Sequence, residues 1–590
     1  MDADRLIYMD NTMKTFSELK KNLKKDVSQL TSIKIAVLGD TATQFIVQAL
    51  KGEGIDHNIN LQIWEADFNQ IERQVLDPSS ELYEYSPESV LIFKSSHKLL
   101  LKYNKLDLSN QPKLADSEMA SIKDLVANIH NNISAKVIYF NYAEIDDSVF
   151  GNYASKTESS FLFQLRKLNY ELMTFAAKNT NIDIVDLSSI QNTIGKLKFT
   201  QASIYINSEM IISIDALPLV AKRTVNLIAA QKGKINKCII LDLDNTTWGG
   251  IIGDDGMENI QIGSLGIGKA FSEFQYWVKK LKNRGVVVCI CSKNTESVAK
   301  EPFEKHPDMV LRLEDISVFI ANWENKADNI RHIQSILNIG FDSMVFLDDN
   351  PFERNMVREN IPDITVPELP EDPANYLEYL YGLNLFETVS VSNEDLERTK
   401  LYQTEAARVQ VHSSFTNEDD FLENLEMQST IQAFNNFNSP RISQLSQRSN
   451  QFNLRTIRYT EGEIKGMAES DKYFTFSFTL DDRFGENGLI CVIILEKLDD
   501  NTIFIDTWFM SCRVLKRGME YFVLNYLVSF AKEKGFSTLK GEYLSTQKNE
   551  IVKNHYKDLG FELQGSYYSL DVLNYQMKAN HIKRKIIEDG

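Results

Sequence analysis

Short apolar runs separated by amphipathic stretches mark the first two thirds of the chain. Residues 33–38, 90–93, 136–140 and 182–187 are four such runs, and 159–178 carries apolar positions at helical spacing. Strands buried on both faces of a parallel sheet read as continuous apolar runs. The pattern therefore predicts an α/β domain over residues 1–232. It resumes at 237–241, 286–291, 309–311 and 343–347, predicting a second parallel-sheet domain over 233–375. Residues 376–415 read as a charged helical connector. From 416 the pattern changes to period-two alternation at 473–480, 489–495 and 503–510. A helix over 519–534, a short strand and a helix over 549–559 follow, giving an α+β domain over 416–575 and a tail over 576–590. The Asn/Gln/Ser-rich stretch 435–453 would by composition alone be a linker.

At 590 residues the chain exceeds one core, in line with this division. Hydrophobic residues make up 43 % and charged residues 25 %, an ordinary globular balance. No apolar run reaches membrane length, and the acidic N-terminus lacks the apolar segment of a signal peptide. Five cysteines, an odd and small number, point to a reducing compartment without a disulfide framework. A net charge of −18 argues against nucleic acid as the main partner. The expectation is a multidomain cytoplasmic protein that binds neither nucleic acid nor membrane.

The candidate chemistry begins where the run 238–241 ends in Asp242-Leu-Asp244-Asn-Thr-Thr-Trp-Gly249. Ligands of parallel sheets sit beyond the carboxyl ends of the strands, and paired carboxylates there suit one Mg²⁺ ion and one phosphate. Phosphoryl chemistry then needs three more parts, and they follow in order. Asp242 supplies a nucleophile or metal ligand, with Asp244 as proton donor and acceptor. Ser292, after the apolar run 286–291, offers a small hydroxyl to a phosphoryl group. Lys326 can neutralise developing charge. Asp348 and Asp349, after 343–347, add metal carboxylates.

These four blocks resemble the motifs of the haloacid dehalogenase (HAD) superfamily. The resemblance implies Asp242 as the nucleophile that becomes an aspartyl-phosphate and Asp244 as general acid/base. It also implies Mg²⁺ held by Asp242, the Asp244 backbone carbonyl, Asp348 and Asp349. Thr247 stands where the family usually has an apolar residue, at a position expected to serve packing. The intervals from Asp242 to Ser292 and from Ser292 to Lys326 leave no room for a large cap domain, so an open site is expected.

Longer blocks are more specific. Asp242–Gly256, Cys291-Ser-Lys-Asn294, Phe346-Leu-Asp-Asp-Asn-Pro-Phe-Glu-Arg354 and Val366–Pro373 are similar to the FkbH-like proteins, HAD subfamily IIIC phosphatases. The similarity continues through Gln444–Leu454, Asp482-Arg-Phe-Gly485 and Ser511-Cys-Arg-Val-Leu-Lys-Arg-Gly518, so it overrides the linker reading of 435–453. It implies removal of phosphate from 1,3-bisphosphoglycerate and loading of the glyceryl group as a thioester on an acyl carrier protein. The HAD motifs alone support a plain phosphatase of a small sugar or acyl phosphate, with the flanking domains used for binding.

Residues 513–518 resemble the loop of GNAT acyltransferases, with Lys516 in place of its first glycine. Arg513, Arg517 and Gly518 are thus candidate binders of a phosphopantetheine arm. Residues 513–585 hold 13 Lys/Arg against 7 Asp/Glu, which suits an acidic carrier protein; Lys532, Lys534 and Lys548 lie on this stretch. Cys512 and Cys291 are candidate acyl thiols. The N-terminal domain resembles the SGNH-hydrolase-like domain of some FkbH-like proteins. Gly39-Asp40-Thr41 aligns with its Gly-Asp-Ser motif, but Asp215-Ala-Leu-Pro218 lacks the usual histidine, so a binding or scaffold role is expected. The second partner expected is a small phosphorylated acyl donor.

Overall fold

The computed structural model describes residues 14–412, 415–449, 451–511, 514–515, 517–546 and 549–586. The chain divides into two compact units, 1–229 and 230–590. Among the described residues no helix is long and apolar enough to cross a membrane.

The first unit is built on a five-stranded, wholly parallel sheet. Its strands are β1 (Thr31–Gly39), β2 (Ile59–Glu65), β3 (Ser89–Phe93), β4 (Lys136–Phe140) and β5 (Ile182–Val185), in the order β2-β1-β3-β4-β5. β3 is buried along its whole length, as a two-sided apolar run requires. Helices such as Phe161–Ala177 cover the sheet; Ser160 caps that helix by accepting the Phe163 amide.

The second unit holds two sheets. The first is parallel, with β6 (Cys238–Leu241), β7 (Val287–Ser292), β8 (Val318–Ala321) and β9 (Met344–Leu347) in the order β8-β7-β6-β9. Its faces alternate by residue: Ile239, Leu241, Val288 and Ile290 pack into one core, and Cys238, Ile240, Cys289 and Cys291 into the other. The expected strand at 309–311 is not one. Val310 and Leu311 instead donate their amides to the buried Gln275 side chain, and the outer strand is β8. The connection from β6 to β7 holds only a short helix (Ile252–Asp255) and a long one (Gly266–Asn283), and no further domain.

The other sheet has nine strands: β10 (Gln428–Ser429), β11 (Ile431–Gln432), β12 (Tyr473–Asp482), β13 (Gly485–Lys497), β14 (Thr502–Met510), β15 (Thr538–Gly541), β16 (Glu562–Gln564), β17 (Tyr567–Asp571) and β18 (Lys583–Arg584). β12, β13 and β14 are antiparallel neighbours, whereas β14 and β15 run parallel. β18, in the stretch read as a tail, completes the sheet edge beside β10. Helix Met519–Glu533 packs Phe522, Val523, Leu527 and Val528 into the sheet's core. The expected helix at 549–559 is only a 3₁₀ turn (Glu550–Val552) and a short helix (His555–Asp558). The start of the Asn-rich stretch is held by its own side chains. Asn435 and Asn438 bond to each other's backbone and side chain ahead of helix Ser439–Arg448.

The segment read as a connector is built into the second unit. Tyr376, Tyr379 and Leu380 of helix Tyr376–Leu383 join the core beneath β6 and β7. Helix Arg398–His412 packs Tyr402 into the opposite core, and Gln403 donates to the carbonyls of Glu314 and Ile316. Arg408 of the same helix pairs with Asp482 at the end of β12, whose side chain is fully buried, at 2.7 Å. One helix thus ties the parallel sheet to the nine-stranded one.

Candidate active site

The carboxyl ends of β6, β7 and β9 meet at one point. Asp242 follows β6, and Asp348 and Asp349 follow β9; one carboxylate oxygen from each lies within 4.8 Å of the others. Three such charges repel one another, and Lys326 sits among them as part of the answer. Its Nζ lies 2.9 Å from Asp242 Oδ1 and 2.6 Å from Asp348 Oδ2. Burial works against the Lys326 charge, but the two carboxylates outweigh it and lift its pKa above the ordinary lysine range. Burial, then the charge of Asp242, push the Asp348 carboxyl up to about 7 and raise that of Asp349. One lysine against three carboxylates leaves an excess of negative charge presented through hard oxygen donors, which suits a divalent cation such as Mg²⁺.

Backbone contacts fix this cluster. Arg354 donates Nη1 to the carbonyl oxygens of Asp348 (2.8 Å) and Asp349 (2.6 Å), while its Nε holds Glu368. The Thr246 hydroxyl oxygen accepts the Asp349 amide at 2.9 Å, joining the loop after β6 to the acidic pair. Thr247 is fully buried, and its hydroxyl closes back on the Asp242 carbonyl at 2.6 Å. A hydroxyl is thereby accommodated at a packing position. Asn245 adopts φ 54°, and its side chain accepts the Gly250 amide, turning the loop tightly over the strand end.

Asp244 stands apart from the three-carboxylate cluster. Its Oδ1 accepts the Trp248 indole N–H (3.0 Å) and the Ile252 amide (3.1 Å), and its Oδ2 accepts Asn294 Nδ2 (2.9 Å). The same Asn294 amide donates to Ser292 Oγ at 3.2 Å, so Asp244 and Ser292 share one positioning group. Any metal contact of Asp244 would fall to its backbone carbonyl, since the carboxylate is occupied by these donors. Sequence reasoning assigned no role to Thr246, Trp248, Asn294 or Arg354; only their nearness to Asp242, Ser292 and Asp348 within the quoted blocks hinted at one.

Other candidates fare differently. Cys291 points into the core opposite the site, its Sγ against the Lys326 carbonyl oxygen, and burial raises its thiol pKa, so it is not placed to carry an acyl group. Arg517, expected to bind a phosphopantetheine arm, is buried in ion pairs with Asp482 and Glu405, which commits its guanidinium. Gly518 caps helix Met519–Glu533 at φ 75°. Cys512, Arg513, Lys516 and Lys548 lie outside the described residues. In the first unit, Asp40 accepts the Ser95 amide, and burial lifts its carboxyl to about 6. Thr41 is fully buried, with its hydroxyl unpaired among the described residues.

Comparison with known proteins agrees with this geometry. Residues 34–229 match the family described as "FkbH, N-terminal domain". The N-terminal part of the protein BF1531 from Bacteroides fragilis, a crystal structure containing a phosphatase domain complexed with Mg, is 57 % identical. The match covers 64 % of this chain and 100 % of that one, with a TM-score of 0.62. The chain belongs to the FkbH-like family. Two N-acetyltransferases, the ribosomal-protein-S18-alanine enzyme of Escherichia coli and one from Staphylococcus aureus Mu50, match 25 % of this FkbH-like chain at 15 % and 17 % identity. They cover 94 % and 99 % of their own chains, but a TM-score of 0.21 for each is too low to bear on fold or activity. No curated protein matches.

Proposed function

We propose that this FkbH-like protein is a Mg²⁺-dependent HAD-type phosphatase that works through an aspartyl-phosphate on Asp242. The observation that carries the reading is the cluster of Asp242, Asp348 and Asp349 around Lys326 at the end of a parallel sheet. The Mg of the Bacteroides fragilis relative supports the choice of ion. Bound there by the three carboxylates, Mg²⁺ would shield the phosphoryl oxygens and offset the charge of an approaching anion. Asp242 attacks phosphorus as the leaving oxygen takes a proton from Asp244. Water then attacks the phosphorus of the aspartyl-phosphate, Asp244 takes its proton, and inorganic phosphate and the Asp242 carboxylate are restored. Ser292 and Lys326 hold the phosphoryl oxygens during both steps.

Further, we infer that the acyl group of the substrate passes to the thiol of a carrier protein: the sulfur attacks the acyl-phosphate carbonyl, the C–O bond breaks and that phosphate leaves with the thiol proton, while the Asp242 chemistry removes the ester phosphate. The extent of the FkbH-like blocks and the absence of a domain inserted between β6 and β7 support an open site of this kind. Incubation with Mg²⁺, 1,3-bisphosphoglycerate and holo-carrier protein tests both parts. Release of the ester phosphate should stop with EDTA and in Asp242→Asn, and with the wild-type enzyme the carrier should gain a glyceryl mass. Release of phosphate without carrier modification would leave a plain phosphatase. Turnover by Asp242→Asn would refute the nucleophile.

A further inference from the structure

We propose that Lys293 forms a second anion subsite beside the phosphoryl site, selecting substrates that bear a carboxylate or another phosphate beyond the reacting group. The inference rests on the phosphatase reading above and extends it to substrate class. Lys293 directly follows Ser292 at the carboxyl end of β7, and Glu353 lies in the first turn of the helix after β9, Pro351–Asn360. β7 and β9 flank β6 on its two sides, so their ends stand roughly 10 Å apart with the tip of β6 between them. Lys293 Nζ nevertheless reaches Glu353 Oε1 at 2.6 Å. The ion pair therefore spans the carboxyl end of the strand that bears Asp242.

The two partners differ in exposure, and the difference gives the pair its use. The Glu353 residue is 5 % exposed, and its second oxygen is buried without a hydrogen-bond partner among the described residues. A buried carboxylate in that state holds its counter-charge firmly, because losing it strands a desolvated anion. The Lys293 side chain is 37 % exposed. An ammonium has three N–H donors; Glu353 takes one, and the others remain for a guest. Lys326, held between Asp242 and Asp348, is already assigned to the reacting phosphoryl group and so does not supply the second anion's counter-charge. A cation already fixed next to the phosphoryl-binding Ser292 binds a second anionic group without first ordering a free side chain.

The test is the preference of the full-length protein for two-anion substrates. We compare kcat/KM for phosphoglycolate, which carries a carboxylate, and for 1,3-bisphosphoglycerate, which carries a second phosphate, each divided by that for p-nitrophenyl phosphate. Lys293→Met should reduce this ratio roughly 10- to 100-fold, mainly through KM, and Lys293→Arg should recover most of it. The arm that moves identifies the group bound. Because Lys293→Met leaves Glu353 unpaired, the double variant Lys293→Met/Glu353→Gln serves as the folding control and should show the same loss. Ratios within twofold of wild type in both arms, or a ratio restored in the double variant, would overturn the subsite. Wild-type protein that releases no phosphate from any of the three would overturn the phosphatase reading itself.

Discussion

Arg354 reaches the acidic pair through backbone carbonyls rather than carboxylates, so it sets where Asp348 and Asp349 stand without spending their charge. Groups that orient metal ligands in this way are commonly worth one to two orders of magnitude in affinity. Arg354→Met should raise the Mg²⁺ concentration for half-maximal activity by roughly 10- to 100-fold, while activity at saturating Mg²⁺ recovers much of the loss. A metal titration at fixed substrate checks this. The carboxyl of Asp348 carries a sign that can also be read. Its pKa is raised from 3.8 to about 7 in the folded chain, so the fold without metal binds a proton there more tightly than the unfolded chain does. That contribution to stability is full below about 4 and is lost as pH rises through about 7. Metal binding needs the deprotonated form, so the rise in Tm on adding Mg²⁺ should grow between pH 5 and pH 8, as thermal melts would record. An Mg²⁺ effect that shrinks over that range would contradict the assignment.

At the scale of elements, helix Arg398–His412 joins two sheets, and its hold on the second is electrostatic. Arg408, Glu405, Arg517 and Asp482 alternate in sign in a buried cluster. Removing one member strands its partner, and Arg408→Met should destabilise the second unit by about 3 kcal/mol, seen as an earlier unfolding transition in urea. The sequence made some of this legible and concealed the rest. β6, β7 and β9 stood out because two-sided burial demands unbroken apolar runs, and the same runs deliver Asp242, Ser292 and Asp348 to one edge. The unmarked β2 is an outer strand with polar residues between its apolar ones, so no run appears. Residues 309–311 mimic a strand because they are apolar and buried, yet their amides are satisfied by one glutamine rather than by a ladder. Asn294 stayed hidden as a site residue because its bond to Asp244 joins segments far apart in the chain, and Arg354 because it holds backbone carbonyls five and six residues before it, which no side-chain pattern marks. The ion-pair role of Arg517 was equally illegible, since its partners lie 35 and 112 positions away.

For the whole molecule, all the groups assigned to phosphoryl chemistry belong to the second unit, on a single four-stranded sheet and the loops leaving its carboxyl end. The account therefore stands on covalent chemistry at one carboxylate. The direct measurement is to incubate Asp244→Asn with Mg²⁺ and an acyl phosphate, quench in acid, reduce with borohydride and map the peptides by mass. With its general base removed the enzyme should accumulate phosphate on Asp242, and reduction should convert that residue alone to homoserine. An unmodified Asp242 in protein that has released a first equivalent of the dephosphorylated acid, or modification at another carboxylate, would contradict the account.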